Sequence, residues 1–192
     1  MGKRLFVSID FSPQLCEAVS EIQTAFDQLP GLTLTNPEQA HITLKFLGSV
    51  DANPIDDVQD MLRTAVLESG VQPFPIRIAG LGVFPEYDYI SVIWLGVRTG
   101  ATEVARLHES IESTAIEYGF EPESFEFTPH VTIARMSHGE AKSDVQRLLR
   151  TMDPTVGTMT VQEVCLTEST LTDDSPIYET LYSVPLDSTT GP

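Results

Sequence analysis

Followed as a pattern of apolar and polar positions, the chain falls into runs of period two and runs of period 3.6. Residues 4–10, RLFVSID, read as a strand rich in β-favouring residues. Ser12 as an N-cap and Pro13 at the first helical position then open a helix whose Leu15, Val19, Ile22 and Phe26 recur at helical spacing. Buried helical stripes are predicted near 55–68 (Ile55, Val58, Leu62, Val66), 102–118 (Val104, Leu107, Ile111, Ala115) and 143–151 (Val145, Leu148, Leu149). Further strands are predicted at 40–47, 74–80, 89–97, 125–135, 158–167 and 178–185, with Gly48 ending the second of the chain's strands. GLGVFPEYD and IEYGFEPES have the turn-rich texture of loops, and no linker interrupts the alternation. The expected class is α+β, one domain over residues 1–187 with a tail at 188–192.

Composition narrows the setting. A chain of 192 residues with 41% hydrophobic content can bury a sizeable core. No apolar run approaches the roughly 18–20 residues of a membrane span, and the start MGKRLFVSIDFSP soon turns polar, so a soluble cytoplasmic protein is expected. Cys16 and Cys165 are too few and too far apart for a disulfide framework or a zinc motif, and are expected to be buried free thiols. Asp plus Glu number 28 against 11 Lys plus Arg, a formal charge of -17, with lysine only at positions 3, 45 and 142. So strong a bias without an acidic tail points to a cytoplasm of very high salt, because at about 1 M the Debye length falls to roughly 3 Å and screens the repulsion. An ordinary acidic protein is the competing reading.

Two of the predicted strands share a local pattern. HITLKFLG begins at His41 and HVTIAR at His130, each writing histidine, aliphatic, threonine, aliphatic. Period-two alternation puts His41, Thr43 and Lys45 on one face and Ile42, Leu44 and Phe46 on the other. It likewise puts His130 and Thr132 opposite Val131 and Ile133. Each strand buries its aliphatics and presents an imidazole with a hydroxyl about 7 Å further along. The other histidines, His108 in a helical pattern and His138 in the loop MSHGEAK, lack that neighbour and read as structural or solvated. The bland reading makes His41 and His130 half-exposed strand residues of no consequence.

A zinc site would need three or four ligands, and neither strand offers a third. No glycine-flanked nucleophile between a strand and a helix suggests a triad. Two histidines suit a reaction that removes one proton and supplies another, since imidazole titrates near pH 6.5. Threonine hydroxyls can donate to phosphate oxygens. The implied chemistry is in-line attack at phosphorus, with a base on the entering oxygen and an acid on the leaving one, and neither cofactor nor metal.

The paired motifs resemble the two His-X-Thr-X signatures of the two-histidine phosphoesterases, in particular the RNA 2′,3′-cyclic phosphodiesterases, also called 2′-5′ RNA ligases. RLFVSID, GLGVFP, IWLGV, FTPHVTIAR and LTESTL resemble further segments of that family in the same order. The resemblance implies an internal pseudo-repeat of two α+β lobes related by a pseudo-twofold axis, each a mainly antiparallel sheet with helices outside and the active-site cleft between. It implies His41 as proton donor to the departing ribose oxygen and His130 as proton acceptor from water, with Thr43 and Thr132 holding the phosphate. Arg135 matches a motif arginine expected near the phosphate, although alternation points it to the opposite face unless a bulge intervenes. Lys45 shares the His41 face and is either phosphate-steering or solvated. The implied reaction opens RNA 2′,3′-cyclic phosphate ends to 2′-phosphomonoesters in a monomeric enzyme, with 2′-5′ ligation in some members. A charge of -17 should repel long RNA, which favours short oligonucleotides or cyclic mononucleotides. Two rivals stand beside it: a hydrolase of a small ADP-ribose-derived cyclic phosphate, and a non-catalytic RNA-binding module, which would want basic stripes with aromatic platforms.

Overall fold

Two antiparallel sheets carry the two histidine strands, and their inner faces share one apolar core. The structure, a computed structural model, describes residues 2–50, 55–137, 139–172 and 176–186. The tail expected at 188–192 and His138 lie outside the described residues. The four-stranded sheet has the order β3 (His41–Val50), β1 (Lys3–Asp10), β8 (Glu163–Thr170), β9 (Ile177–Pro185). The five-stranded sheet has the order β2 (Leu32–Leu34), β6 (His130–Met136), β5 (Tyr89–Thr99), β4 (Phe74–Glu86), β7 (Thr155–Val161).

Four α-helices follow the predicted stripes: α1 (Pro13–Gln23), α2 (Ile55–Ser69), α3 (Ala101–Glu117) and α4 (Lys142–Thr151). Ser12 caps α1 by accepting from the Leu15 N–H at 3.5 Å, with Pro13 beside it in the first turn. Phe26 is fully buried, but it lies in turns beyond the end of α1. The helices cross between lobes. α1 leaves β1 of the four-stranded sheet and packs on β7 and β6, whereas α3 leaves β5 of the five-stranded sheet and packs on β3 and α2. No helix among the described residues is long and apolar enough to cross a membrane.

Four strand boundaries differ from the sequence reading. GLGVFP is strand, because β4 runs on to Glu86 before turning at Tyr87 and Asp88. Its glycines serve close approach instead of chain reversal: a Cβ on Gly82 would meet the Trp94 ring at 2.2 Å, so the indole lies flat across the strand. Gly48 likewise sits inside β3, at φ +73° beside a bulge, and does not end the strand. Residues 125–129 are not strand, since the extended segment ends in Pro129, which has no N–H to give a ladder, and pairing starts at His130. The run predicted over 158–167 is two strands: the chain leaves the five-stranded sheet at Val161, passes Gln162 and enters the other sheet at Glu163. The three-residue β2, which pairs with β6, carries too few residues for any periodicity to register.

Candidate active site

β3 and β6 pack against one another, and both break strict alternation at the same place. In β3, Thr43 stands opposite Ser8 and Lys45 opposite Val7, which leaves Leu44 without a cross-strand partner. In β6, Thr132 stands opposite Trp94 and Ala134 opposite Ile93, which leaves Ile133 without one. A bulge re-aims every side chain beyond it. Lys45 and Ala134 therefore turn into the core, and Phe46 and Arg135 turn to the histidine face.

This resolves the direction of Arg135, which is exposed and whose charge bears on both His130 and Tyr178. It also corrects Lys45. The lysine is fully buried, pairs with Glu112 at 2.5 Å and donates to the Glu121 carbonyl at 3.1 Å, so it is not placed to steer a phosphate. Burial pushes the Glu112 carboxyl up, but the Lys45 ammonium and the Glu123 N–H outweigh it and hold the group below its ordinary value.

The carbonyls freed by the bulges are taken up by buried polar side chains from the crossing helices. His108 Nδ1–H on α3 donates to the Leu44 carbonyl at 2.7 Å. Its ring also stacks on Phe127, 3.9 Å between centroids, in the segment that leads to His130. Gln23 at the end of α1 donates through Nε2 to the Ile133 carbonyl at 2.9 Å, and the Thr35 N–H reaches the same oxygen at 3.0 Å. Each motif strand is thus pinned at its bulge, as buried carbonyls require partners.

The two imidazoles are held by one device. His41 Nδ1–H donates to the Gln39 carbonyl at 2.8 Å and His130 Nδ1–H to the Thr128 carbonyl at 2.7 Å, in each case two residues back. A carbonyl only accepts, so the proton sits on Nδ1 and Nε2 is left for the cleft. Thr43 Oγ1 lies 3.1 Å from His41 Nε2. Thr132, half-buried on the His130 face, is tied by its main chain to the Thr35 hydroxyl at 2.9 Å. His41 is walled by Phe6 and Tyr178, with ring centroids at 5.1 and 5.2 Å. His130 is walled by Phe84 and Trp94, at 4.9 and 5.9 Å.

Burial lowers the pKa of both histidines, opposed in each by the backbone bond. Their charged neighbours act in opposite directions. Asp10, directly across the ladder from His41, favours its protonated form. The charges of His41 and Arg135 favour neutral His130, whose own cross-strand partner is Gly96. A cavity of about 250 Å³ opens beside His41, walled by Phe6, Phe11, Gln39, Tyr178 and Thr180 among others.

The structure thus puts His41, Thr43, His130, Thr132 and Arg135 on the histidine-bearing faces of the two motif strands, opposite their buried aliphatics, with the charge of His41 bearing on His130. Sequence reasoning did not single out Asp10, Phe46, Trp94 or Tyr178. Asp10 could have been found from the β1–β3 register, and Phe46 only from the bulge. Cys16 and Cys165 are buried free thiols, and burial pushes the Cys165 thiol up to about 12, so it stays protonated and offers no nucleophile. Among the described residues no three His, Cys, Asp or Glu side chains converge to hold a metal ion.

Comparison with known proteins places the fold and the family. A protein of Thermus thermophilus, TT0787, superposes with a TM-score of 0.81 at 23% identity over 97% of this chain and 100% of that one. LigT of E. coli, crystallised with 3′-AMP, gives 0.76 at 21% identity over 97% and 99%. In sequence, the RNA 2′,3′-cyclic phosphodiesterase of Aeropyrum pernix is 39% identical over 148 residues, 77% of this chain and 82% of the relative. The protein of that name from Methanothermobacter thermautotrophicus is 34% identical over 180 residues, 93% and 96% of the two chains. With the profile of the 2′-5′ RNA ligase superfamily matching residues 11–173, which takes in both histidine strands, the chain belongs to that superfamily.

Proposed function

We propose that the protein hydrolyses RNA 2′,3′-cyclic phosphate ends to 2′-phosphomonoesters by metal-independent acid–base catalysis between His41 and His130. The observation that carries this is the pair of imidazoles with Nδ1 tied to backbone and Nε2 turned away from it, His41 beside Asp10 with Thr43 Oγ1 at its Nε2 and His130 beside Arg135. Neutral His130 accepts a proton from water as it attacks phosphorus. Protonated His41 gives its proton to the 3′ oxygen as the P–O3′ bond breaks, which leaves the phosphate on the 2′ oxygen. Thr43, Thr132 and Arg135 hold the nonbridging oxygens, where charge accumulates as the fifth bond forms.

The names of the relatives favour this substrate class over a cyclic phosphate derived from ADP-ribose, and paired walled imidazoles favour a catalyst over a passive RNA-binding surface. The charge of -17 favours short ends over long RNA and a salty working medium. The test is to incubate the protein, in the presence of a chelator, with an oligonucleotide bearing a 2′,3′-cyclic phosphate and to follow it by phosphorus NMR. The expected product is the 2′-phosphate. Predominant 3′-phosphate, or no turnover until zinc is restored, would overturn the assignment.

A further inference from the structure

β1 pairs in unbroken sequence along its own residues with both neighbours, so Arg4, Phe6, Ser8 and Asp10 share one face. Phe6 fixes where that face looks, because its ring meets those of His41 at 5.1 Å, Tyr178 at 5.1 Å and Phe46 at 6.1 Å. Arg4 stands two residues, or about 7 Å, beyond Phe6 and is exposed. It forms no hydrogen bond or ion pair with any described residue. That is unexpected in a chain whose carboxylates outnumber its cations 28 to 11. Its neighbour Lys3 is held by Glu168, and Arg63 on α2 by Asp60. Arg135 is also without such a partner among the described residues, and the charges of both arginines bear on the Tyr178 hydroxyl from opposite lobes. Two arginines without ion-pair partners among the described residues border one cleft, opposite the carboxylate of Asp10, and offer a phosphate two cationic contacts on a strongly negative protein.

We propose that Arg4 holds a second phosphate of the substrate, on the 5′ side of the nucleoside that carries the cyclic phosphate; this rests on the phosphodiesterase reading above. A cyclic phosphate closes the 3′ end of a strand, so whatever else the substrate carries lies on the 5′ side. With the terminal phosphate between His41 and His130, that side runs along the outer face of β1, past Phe6 and the open ring of Phe46, which is 64% exposed, to Arg4. Guanidinium recognises a phosphate monoester and a diester alike through paired N–H donors. The subsite therefore takes a 5′-phosphorylated nucleotide or the next internucleotide linkage, and discriminates against a bare cyclic nucleoside.

The test compares three substrates with the purified full chain: adenosine 2′,3′-cyclic phosphate with a 5′-hydroxyl, the same with a 5′-phosphate, and a dinucleotide ending in the cyclic phosphate. Wild type should show a higher kcat/KM for the second and third than for the first. Arg4→Gln should lower that preference about tenfold, through KM, the factor expected for one charge-assisted bond. Arg135→Gln should instead lower kcat/KM for all three. Loss of preference for the dinucleotide alone would make the recognised group the diester linkage, and loss for both would make it phosphate in either form. Equal loss on all three substrates with Arg4→Gln, or an unchanged preference, would show that Arg4 holds no second phosphate. Absence of turnover on every substrate by wild type would instead remove the phosphodiesterase reading, and this proposal with it.

Discussion

His41 and His130 are fastened by the same hydrogen bond and sit before the same bulge, yet their surroundings differ in sign. Across the ladder His41 faces Asp10 and His130 faces Gly96. Five residues after the histidine, one strand presents Phe46 and the other Arg135, and four residues after it one strand buries Lys45 and the other Ala134. The shared parts build two imidazoles with Nε2 aimed outward. On the proposed reading the unshared parts divide the labour, since a carboxylate beside one ring favours a proton there and a guanidinium beside the other disfavours it. We propose that two like strands are made an acid and a base by their neighbours, not by their shared motif.

Removing the rings themselves has the largest effect. His41→Ala and His130→Ala should each lower kcat by roughly 10² to 10⁴, the usual contribution of a positioned acid or base. Steady-state kinetics on variants whose circular dichroism matches wild type checks this, and near-normal turnover in either would refute its role.

Next comes the unequal pair beneath the bulges. Glu112→Ala strands the fully buried Lys45 ammonium, while the matching place on the other strand is an alanine with nothing to strand. Denaturant unfolding should show a loss of about 3 kcal/mol, at the low end for a broken buried pair because Glu112 is itself partly exposed. A change below about 0.5 kcal/mol would mean that the lysine relaxes to solvent.

A smaller and more pointed effect concerns pH. Burial holds both histidines below the ordinary imidazole value, so the bell of kcat/KM against pH should be centred below about 6.5 in the free enzyme. On the proposed assignment its acid limb should report His130 losing its proton and its alkaline limb His41 losing its own. Asp10 raises the His41 pKa, so Asp10→Asn should move the alkaline limb to lower pH and leave the acid limb in place. Movement of the acid limb instead would attach Asp10 to the base.

Much of this is legible in the chain. The helical stripes of α2, α3 and α4 can be read to within a residue or two, because apolar residues at 3.6 spacing have one physical meaning when the helix has one buried side. His41, Thr43, His130 and Thr132 are legible because the first four residues of each motif strand alternate. What lies beyond them is not. Nothing in LKF or IAR announces a bulge, so Lys45 and Phe46 exchange faces against the pattern and Arg135 comes round to the site against it too. The passage between sheets at Gln162 is hidden for a related reason, as TVQEVCL carries no glycine or proline to mark it. Backbone irregularities stabilised by remote partners, Gln23 and His108 here, leave no local trace in sequence.

The division between acid and base is tested most directly by a leaving group that needs no acid. If the 3′ bridging oxygen of the cyclic substrate is replaced by sulfur, a thiolate departs unaided. His41→Ala should then recover most of its lost rate relative to wild type, while His130→Ala, which still lacks a base for water, should recover none. Rescue of His130→Ala with His41→Ala left impaired would reverse the two roles, and equal behaviour of the two variants would contradict the division altogether.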